Sequence, residues 1–222
     1  MRVGRRTGAA AIAAVAVFVA MWLGYTQDWA WLAGVDSWFL DGLHPIGTTY
    51  PSWVTAWDVF CTVLGPGAFR IAGVVFIIWL FVRRYVRAAV FMIVTVELCG
   101  LLTEVAKQLA DRPRPATAFV HAYGTSFPSG HAVGVMVCVL AYLTIVLPMV
   151  PERWRTPLKV IGAVVVVLIG VGRVVLNVHH PSDVVAGWAL GFAWYVLWLR
   201  VIKPLPLTRY VAEKPAARDT VT

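Results

Sequence analysis

Residues 7–27 of this chain contain no Asp, Glu, Lys or Arg, and neither do residues 115–151. A helix needs about 20 consecutive, mainly apolar residues to cross the hydrocarbon core of a bilayer. Stretches of that length, free of charge, constrain the fold more than any other feature here. Composition agrees: 60% of the 222 residues are hydrophobic and only 14% are charged, whereas soluble domains hold about half and a quarter. The chain is therefore read as an all-α integral membrane protein with a single membrane domain.

Six spans are predicted, at 8–26, 68–84, 88–106, 131–150, 159–178 and 184–202. Gly65-Pro66-Gly67 interrupts a longer apolar stretch, because Pro and Gly punctuate helices. Residues 51–64 are accordingly read as a short helix lying at the membrane surface. Residues 28–50, rich in Trp and Asp, suit an interfacial loop. This divides the chain into an N-terminal end with the first span (1–27), an outer loop with the interfacial helix (28–67), a core of five spans (68–203) and a tail (204–222).

The basic residues orient this layout, since Lys and Arg concentrate in cytoplasmic loops. With the N-terminus inside, the cytoplasmic segments hold fourteen of the nineteen: Arg2, Arg5, Arg6, Arg83, Arg84, Arg87, Arg153, Arg155, Lys159, Arg200, Lys203, Arg209, Lys214 and Arg218. The outer loop 28–58 has four Asp and no Lys or Arg. Topology thus explains most of the net charge of +8. Nucleic acid is not expected as a partner, because there is no soluble basic domain and no interleaving of basic with aromatic residues. The five remaining cations, Arg70, Lys107, Arg112, Arg114 and Arg173, fall at or near the outer side and need a local reason.

The N-terminal MRVGRR followed by an apolar run has the outline of a signal peptide. The run is long for one, and Trp22 and Tyr25 follow it as interface anchors, so a retained span is expected. Cys61, Cys99 and Cys138 are odd in number, lie in apolar segments and lack metal spacing, which marks them as buried free thiols.

Three clusters lie at the outer ends of spans. In KQLADRPRP, residues 107–115, Lys107 ends the third span and Arg114 sits between Pro113 and Pro115, which stiffen the backbone that carries it. Pro128-Ser129-Gly130-His131 opens the fourth span, and GRVVLNVHHPSD, residues 172–183, joins the fifth to the sixth. Together they present Lys107, Arg114 and Arg173 as cations, and Ser129 with the Gly130 and His131 amides as donors. A helix N-terminus offers free N–H groups and a positive dipole end to an anion, and guanidinium groups meet phosphate oxygens in bidentate fashion. Such a site suits a highly charged oxyanion, with phosphate the first candidate. His179 and Asp183 are four apart, with Pro181 suited to the first helical turn between them, so the carboxylate can reach back to the imidazole. A histidine oriented in this way keeps its second nitrogen free as a nucleophile or base. His131, from another helix end, can serve as the acid.

Lys107 followed by six residues and Arg114-Pro115, then Pro128-Ser129-Gly130-His131, then Arg173 with five residues to His179 and three more to Asp183, resemble the three-part signature of the type 2 phosphatidic acid phosphatase (PAP2) superfamily, which also includes vanadium haloperoxidases. Gly172 departs from the pattern, which often has Ser there. The resemblance implies a six-helix membrane bundle with its active site at the outer face. It further implies a phosphatase that uses no metal and no cofactor and acts on a lipid phosphate or diphosphate. His179 would attack phosphorus, Asp183 would orient it and His131 would protonate the leaving oxygen. Lys107, Arg114, Arg173, Ser129 and Gly130 would hold the phosphoryl oxygens, since phosphoryl transfer rests mainly on positioning and charge stabilisation.

Two competing classes are a silent anionic-lipid binder or transporter and a vanadate-dependent oxidase. The complete His131, His179 and Asp183 set argues against the first, and the membrane spans argue against the second. Among the remaining polar residues, Arg112 is read as an interface anchor paired with Asp111, His180 as a mere neighbour of His179, and His44 and His121 as solvated. Glu104, one turn below Lys107, is expected to support it or to pair with Arg70, and Glu97 to be a neutral acid hydrogen-bonded between helices. Gly187 and Gly191 are spaced for close helix packing. The outer loops 28–66 and 116–127 show no motif that selects a substrate, and no protein partner is legible. A plasma membrane location with both termini cytoplasmic is expected.

Overall fold

The structure, a computed structural model, describes residues 4–204. Among these residues every regular element is helical: α1 Arg5–Thr26, α2 Ala30–Thr49, α3 Pro51–Val63, α4 Pro66–Val82, α5 Val86–Met92, α6 Cys99–Ala110, α7 Gly130–Val146, α8 Glu152–Val175 and α9 Pro181–Ile202, with one π-helical turn, Ile93–Glu97, between α5 and α6. Five stretches are long and apolar enough to cross a bilayer: Arg5–Thr26, Pro51–Val82, Val86–Ala110, Glu152–Val175 and Pro181–Ile202. The sixth predicted span is the 17-residue apolar α7. Arg2, Arg209, Lys214, Arg218 and most of the predicted tail lie outside the described residues.

Proline opens α3, α4 and α9 at the first helical positions, where a missing N–H costs no hydrogen bond. The break at Leu64-Gly65 separates α3 from α4 as the sequence suggests. The two together measure roughly 48 Å at 1.5 Å per residue, more than a hydrocarbon core of about 30 Å requires. The expected loop at 28–50 is instead α2. Leu32, Asp36 and Leu40 are all buried along one stripe of it, and the carboxylate in the middle hides that stripe from a hydropathy reading. Helix α8 begins at Glu152, seven residues before its predicted start. The polar turn 152–158 continues the helix beyond the apolar window, with Glu152 favourably placed in the first turn.

Helix α7 is the centre of the bundle, and nearly all of residues 132–139 are buried. Helices α4, α6, α8 and α9 all pack against it. The closest approach is to α9, as the glycine spacing predicts. A Cβ on Gly187 would lie 2.8 Å from Ser129 O, and one on Gly191 would lie 2.8 Å from Val133 O. On the outside, α1 packs along α9, and side chains facing away from the bundle are apolar, Ile12, Ile71, Val82 and Ile161 among them. At the π-helical turn, Leu98 N bonds to Ile93 O and the Thr95 carbonyl accepts from Trp194 Nε1 at 3.0 Å, so the wider turn is stitched to α9.

The start of α1, the start of α5 and the end of α9, predicted to share one side of the membrane, meet at one end of the bundle. Arg87 donates to Ile202 O at 2.8 Å, and Arg200 lies against Gly8. At the other end the last turns of α6 and α8 meet the first turns of α7 and α9.

Candidate active site

Two irregular segments carry the chemistry between helices. The first, 111–129, leaves α6 through Asp111 in a left-handed conformation, φ 44°. It then folds back on itself, with Ser126 N donating to Arg112 O at 2.7 Å and Ser126 Oγ to Pro113 O at 3.0 Å. Phe119 N donates to Leu176 O at 3.1 Å, tying this segment to the second one, 176–180. There Asn177 takes φ 51°, which an Asn tolerates better than most residues. Its Nδ2 reaches Thr117 Oγ1 at 3.0 Å and Leu40 O at 3.4 Å, anchoring the turn that delivers His179.

The structure brings the predicted residues together. Lys107 is buried in the last turn of α6, and its Nζ donates to Thr125 O. Arg114 is held in place by carbonyls: Nε to Gly124 O at 2.9 Å, Nη2 to Tyr123 O at 2.8 Å and Nη1 to Val178 O at 2.8 Å. Burial and then the nearby Arg173 lower its pKa, yet a guanidinium stays charged at neutral pH. Arg173, in the last turn of α8, is buried, and its Nε has no hydrogen-bond partner among the described residues. The Oγ of Ser129 is likewise buried and unpartnered. Its amide is committed to Asp183 O at 3.0 Å, so of this residue the hydroxyl remains for a ligand. The amides of Gly130 and His131 open α7 and, as first-turn N–H groups, have no acceptor within the helix. Lys107 reaches the same spot, with its Cε 3.9 Å from where a Gly130 Cβ would stand.

His179 is buried, and Arg114 Nη1 lies 3.2 Å from its Nε2. A guanidinium only donates, so Nε2 must be the unprotonated nitrogen and Nδ1 carries the proton. Nδ1 faces Asp183 Oδ2 at 3.5 Å, long for a hydrogen bond, and has no partner of normal geometry. Burial pushes the imidazole pKa down to about 4, against the opposing pull of Asp183, so the ring is neutral at pH 7. His131 is partly buried in the first turn of α7, beside Gly65, and lies within electrostatic range of Arg173, His179, Arg114 and Lys107. Among the described residues no three His, Cys, Asp or Glu side chains converge as metal ligands.

Several sequence expectations require correction. Arg112 is not an interface anchor beside Asp111. It is buried and pairs with Asp36 Oδ2 at 2.9 Å and Asp183 Oδ1 at 2.6 Å. His180 is more than a neighbour: it caps α9, its backbone N donating to Asp183 Oδ2 at 2.8 Å. Arg70 pairs with Glu97 at 3.2 Å and with its carbonyl at 3.0 Å, not with Glu104. Glu97 does bond between helices, but as the ion-pair partner of Arg70 in place of the expected neutral acid, while Glu104 lies within electrostatic range of Lys107. His44 is half-buried and stacks on Phe119, whereas His121 is exposed, as expected, with its ring edge-on to Tyr123. At Gly172 a Cβ would stand 2.5 Å from Cys61 Sγ and 2.8 Å from the Trp57 ring, so α3 fills the space that a larger residue would take. Asp36, Ser182 and Asn177 were assigned no role from the sequence. The available signals were Asp36 among the acids of the outer segment, and Asn177 and Ser182 within the cluster 172–183.

A family model described as the PAP2 superfamily matches residues 85–205. The phosphatidylglycerophosphatase B of Bacillus subtilis is 33% identical over 141 residues, covering 61% of this chain and 69% of that protein. A lipid A 1-phosphatase of Rhizobium johnstonii is 30% identical over 125 residues, and an undecaprenyl-diphosphatase of Sulfolobus acidocaldarius is 28% identical over 116. The matched region covers 50% and 49% of this chain, and spans only 46% and 52% of those two proteins. The crystal structure of a transmembrane PAP2-type phosphatidylglycerolphosphate phosphatase from Bacillus subtilis superposes with a TM-score of 0.76 at 22% identity, covering 89% of this chain and 98% of that one.

Proposed function

This chain belongs to the PAP2 superfamily, and from that membership and the site geometry we infer that it is a membrane lipid phosphatase working through a phosphohistidine. The observation that carries the reading is the state of His179. Its Nε2 is free of a proton and faces Arg114, its Nδ1 faces Asp183, and Lys107 and Arg173 stand nearby.

Nε2 of His179 attacks the terminal phosphorus, and the bond from that phosphorus to its ester or bridging oxygen breaks, the oxygen leaving with the lipid alcohol or, from a diphosphate, with the lipid monophosphate. His131 gives that oxygen a proton. Asp183 stabilises the positive imidazole that forms, and Lys107, Arg114, Arg173, the Ser129 hydroxyl and the Gly130 amide meet the negative oxygens of the transition state. Water then attacks the phosphohistidine, with His131 taking its proton, and inorganic phosphate leaves. The phosphate charge is met by protein cations, so divalent metal is not required. The substrate is a phosphate or diphosphate ester of a membrane lipid. Phosphatidylglycerophosphate is the first to test, because the Bacillus subtilis relative of that name is matched over 69% of its length. The site faces the outer side of the plasma membrane and both termini lie in the cytoplasm, as the distribution of Lys and Arg supports.

A phosphate-release panel tests this. The purified protein, with EDTA present, is given phosphatidylglycerophosphate, phosphatidic acid and undecaprenyl diphosphate. Release from at least one, blocked by vanadate as a mimic of pentacoordinate phosphorus, is expected. Activity that vanishes with EDTA and returns with Mg²⁺ would exclude the mechanism.

A further inference from the structure

Arg112 differs from Arg114 and Arg173 in its partners, which are carboxylates. It bridges Asp36 on α2 and Asp183 on α9, and its Nη1 also donates to Ser182 Oγ at 2.7 Å. Asp36 closes the circuit. Its Oδ1 accepts from Ser182 N at 2.9 Å and its Oδ2 from Ser182 Oγ at 2.6 Å. The Tyr25 ring lies 4.8 Å from the guanidinium carbon. Asp36, Arg112, Ser182 and Asp183 are all buried. Removing this many charges from water is costly unless each is paired and hydrogen-bonded, and an anchor for lipid headgroups would have to stay exposed. The arrangement acts inward, on Asp183. Arg112 takes Oδ1, and His180 N takes Oδ2 at 2.8 Å. The carboxylate is thereby fixed at both oxygens with Oδ2 turned toward His179.

We propose that Asp36, acting through Arg112 and Ser182, is a positioning residue that fixes the Asp183 carboxylate and preserves its negative charge toward His179. This rests on the reading of His179 as the nucleophile. One guanidinium between two carboxylates leaves a net negative charge behind the imidazole. Neutralising Asp36 leaves Arg112 shared with Asp183 alone, and the charge that develops on His179 during attack loses support. The groups facing His179 are Arg114 from the 111–129 segment, Arg173 from α8, His131 from α7 and Asp183 from α9. None of these belongs to the Asp36 circuit except Asp183, so the effect has one route.

The test compares Asp36→Asn, Ser182→Ala and Arg112→Lys with the parent, using phosphatidic acid in detergent micelles and p-nitrophenyl phosphate. Asp36→Asn should lower kcat about 10–100-fold, the scale seen when an outer partner that orients a metal-bound histidine is removed. KM should stay within about threefold, because Lys107, Arg114 and Arg173 are untouched. The titration of His179, followed by NMR of labelled imidazole, should move to lower pH. Ser182→Ala should show the same pattern more weakly, and Arg112→Lys, which keeps the charge but not the double bridge, should fall between. Folded Asp36→Asn and Ser182→Ala proteins with kcat within about twofold of the parent overturn the proposal. So does a loss that tracks only the folded fraction while the His179 titration stays at the parent value. If Asp36→Asn does not fold, Ser182→Ala decides. A parent that releases phosphate from neither of these nor from phosphatidylglycerophosphate or undecaprenyl diphosphate fails the phosphatase reading instead, and the shift of the His179 titration still decides the positioning role.

Discussion

At the residue scale the two histidines are separable by the leaving group. His179→Ala should be inactive on every substrate, because no other group is placed to accept the phosphoryl. His131→Ala should lose about 10²–10⁴-fold on a lipid monoester, whose alkoxide leaves poorly without a proton. On p-nitrophenyl phosphate it should lose far less, since nitrophenolate leaves unaided. Equal losses on both substrates, together with a His179→Ala protein that still cleaves the nitrophenyl ester, would reverse the roles. The charge state of His179 is checked separately. Its imidazole should remain neutral from pH 8 down to near its pKa of about 4, and protonate only as pH falls through that value, whereas a free histidine titrates near about 6.5. Difference NMR spectra between the parent and His179→Ala identify the signal. A midpoint near that of free histidine would mean that Nε2 is not held as a ready nucleophile.

At the scale of elements, the contact between α7 and α9 holds the two halves of the site in register. Ser129 and His131 ride on the first, Asp183 on the second, and Ser129 N to Asp183 O at 3.0 Å joins them directly. Gly191 lets the helices close, with Val133 O 2.8 Å from where its Cβ would stand. Gly191→Leu should cost about 1–3 kcal/mol, the usual scale of overpacking, and should lower kcat although it lies two turns from Asp183. Gly34→Ala, inside α2 where a Cβ meets nothing within 4 Å, should instead raise stability by about 0.5–1 kcal/mol, because Ala suits a helix interior better than Gly. Thermal unfolding in detergent compares the two, and equal midpoints would show that α7 and α9 do not depend on this approach.

The whole molecule is an apolar bundle with a polar cluster at one end, so its orientation decides where the reaction takes place. A thiol introduced by Ala116→Cys should react with an impermeant reagent on intact cells, and one introduced by Ala216→Cys should not. Residue 116 is exposed beside the site, while 216 lies outside the described residues. Background should be low, because Cys61, Cys99 and Cys138 are buried and free. Labelling of the 216 position on intact cells would overturn the topology and place the site on the other side.

Length and charge-free composition alone identified a helical membrane protein. Fixed spacing among Lys107, Arg114, Ser129, Gly130, His131, Arg173, His179 and Asp183 pointed to the proposed chemistry. Those features are local: a span is a property of about 20 consecutive residues, and each cluster sits within one short segment. Gly187 and Gly191 were legible for the same reason, since a helix face repeats at a known interval. The tertiary structure alone decided what joins distant segments. Asp36 is separated from Ser182 by 146 residues and from Arg112 by 76, and no periodicity links them. Arg70 met Glu97 and not Glu104 because the π-helical turn and the packing of α4 set which carboxylate it reaches. Arg112 looked like a surface cation because burying a guanidinium is costly unless carboxylates meet it, and both of its carboxylates come from elsewhere in the chain.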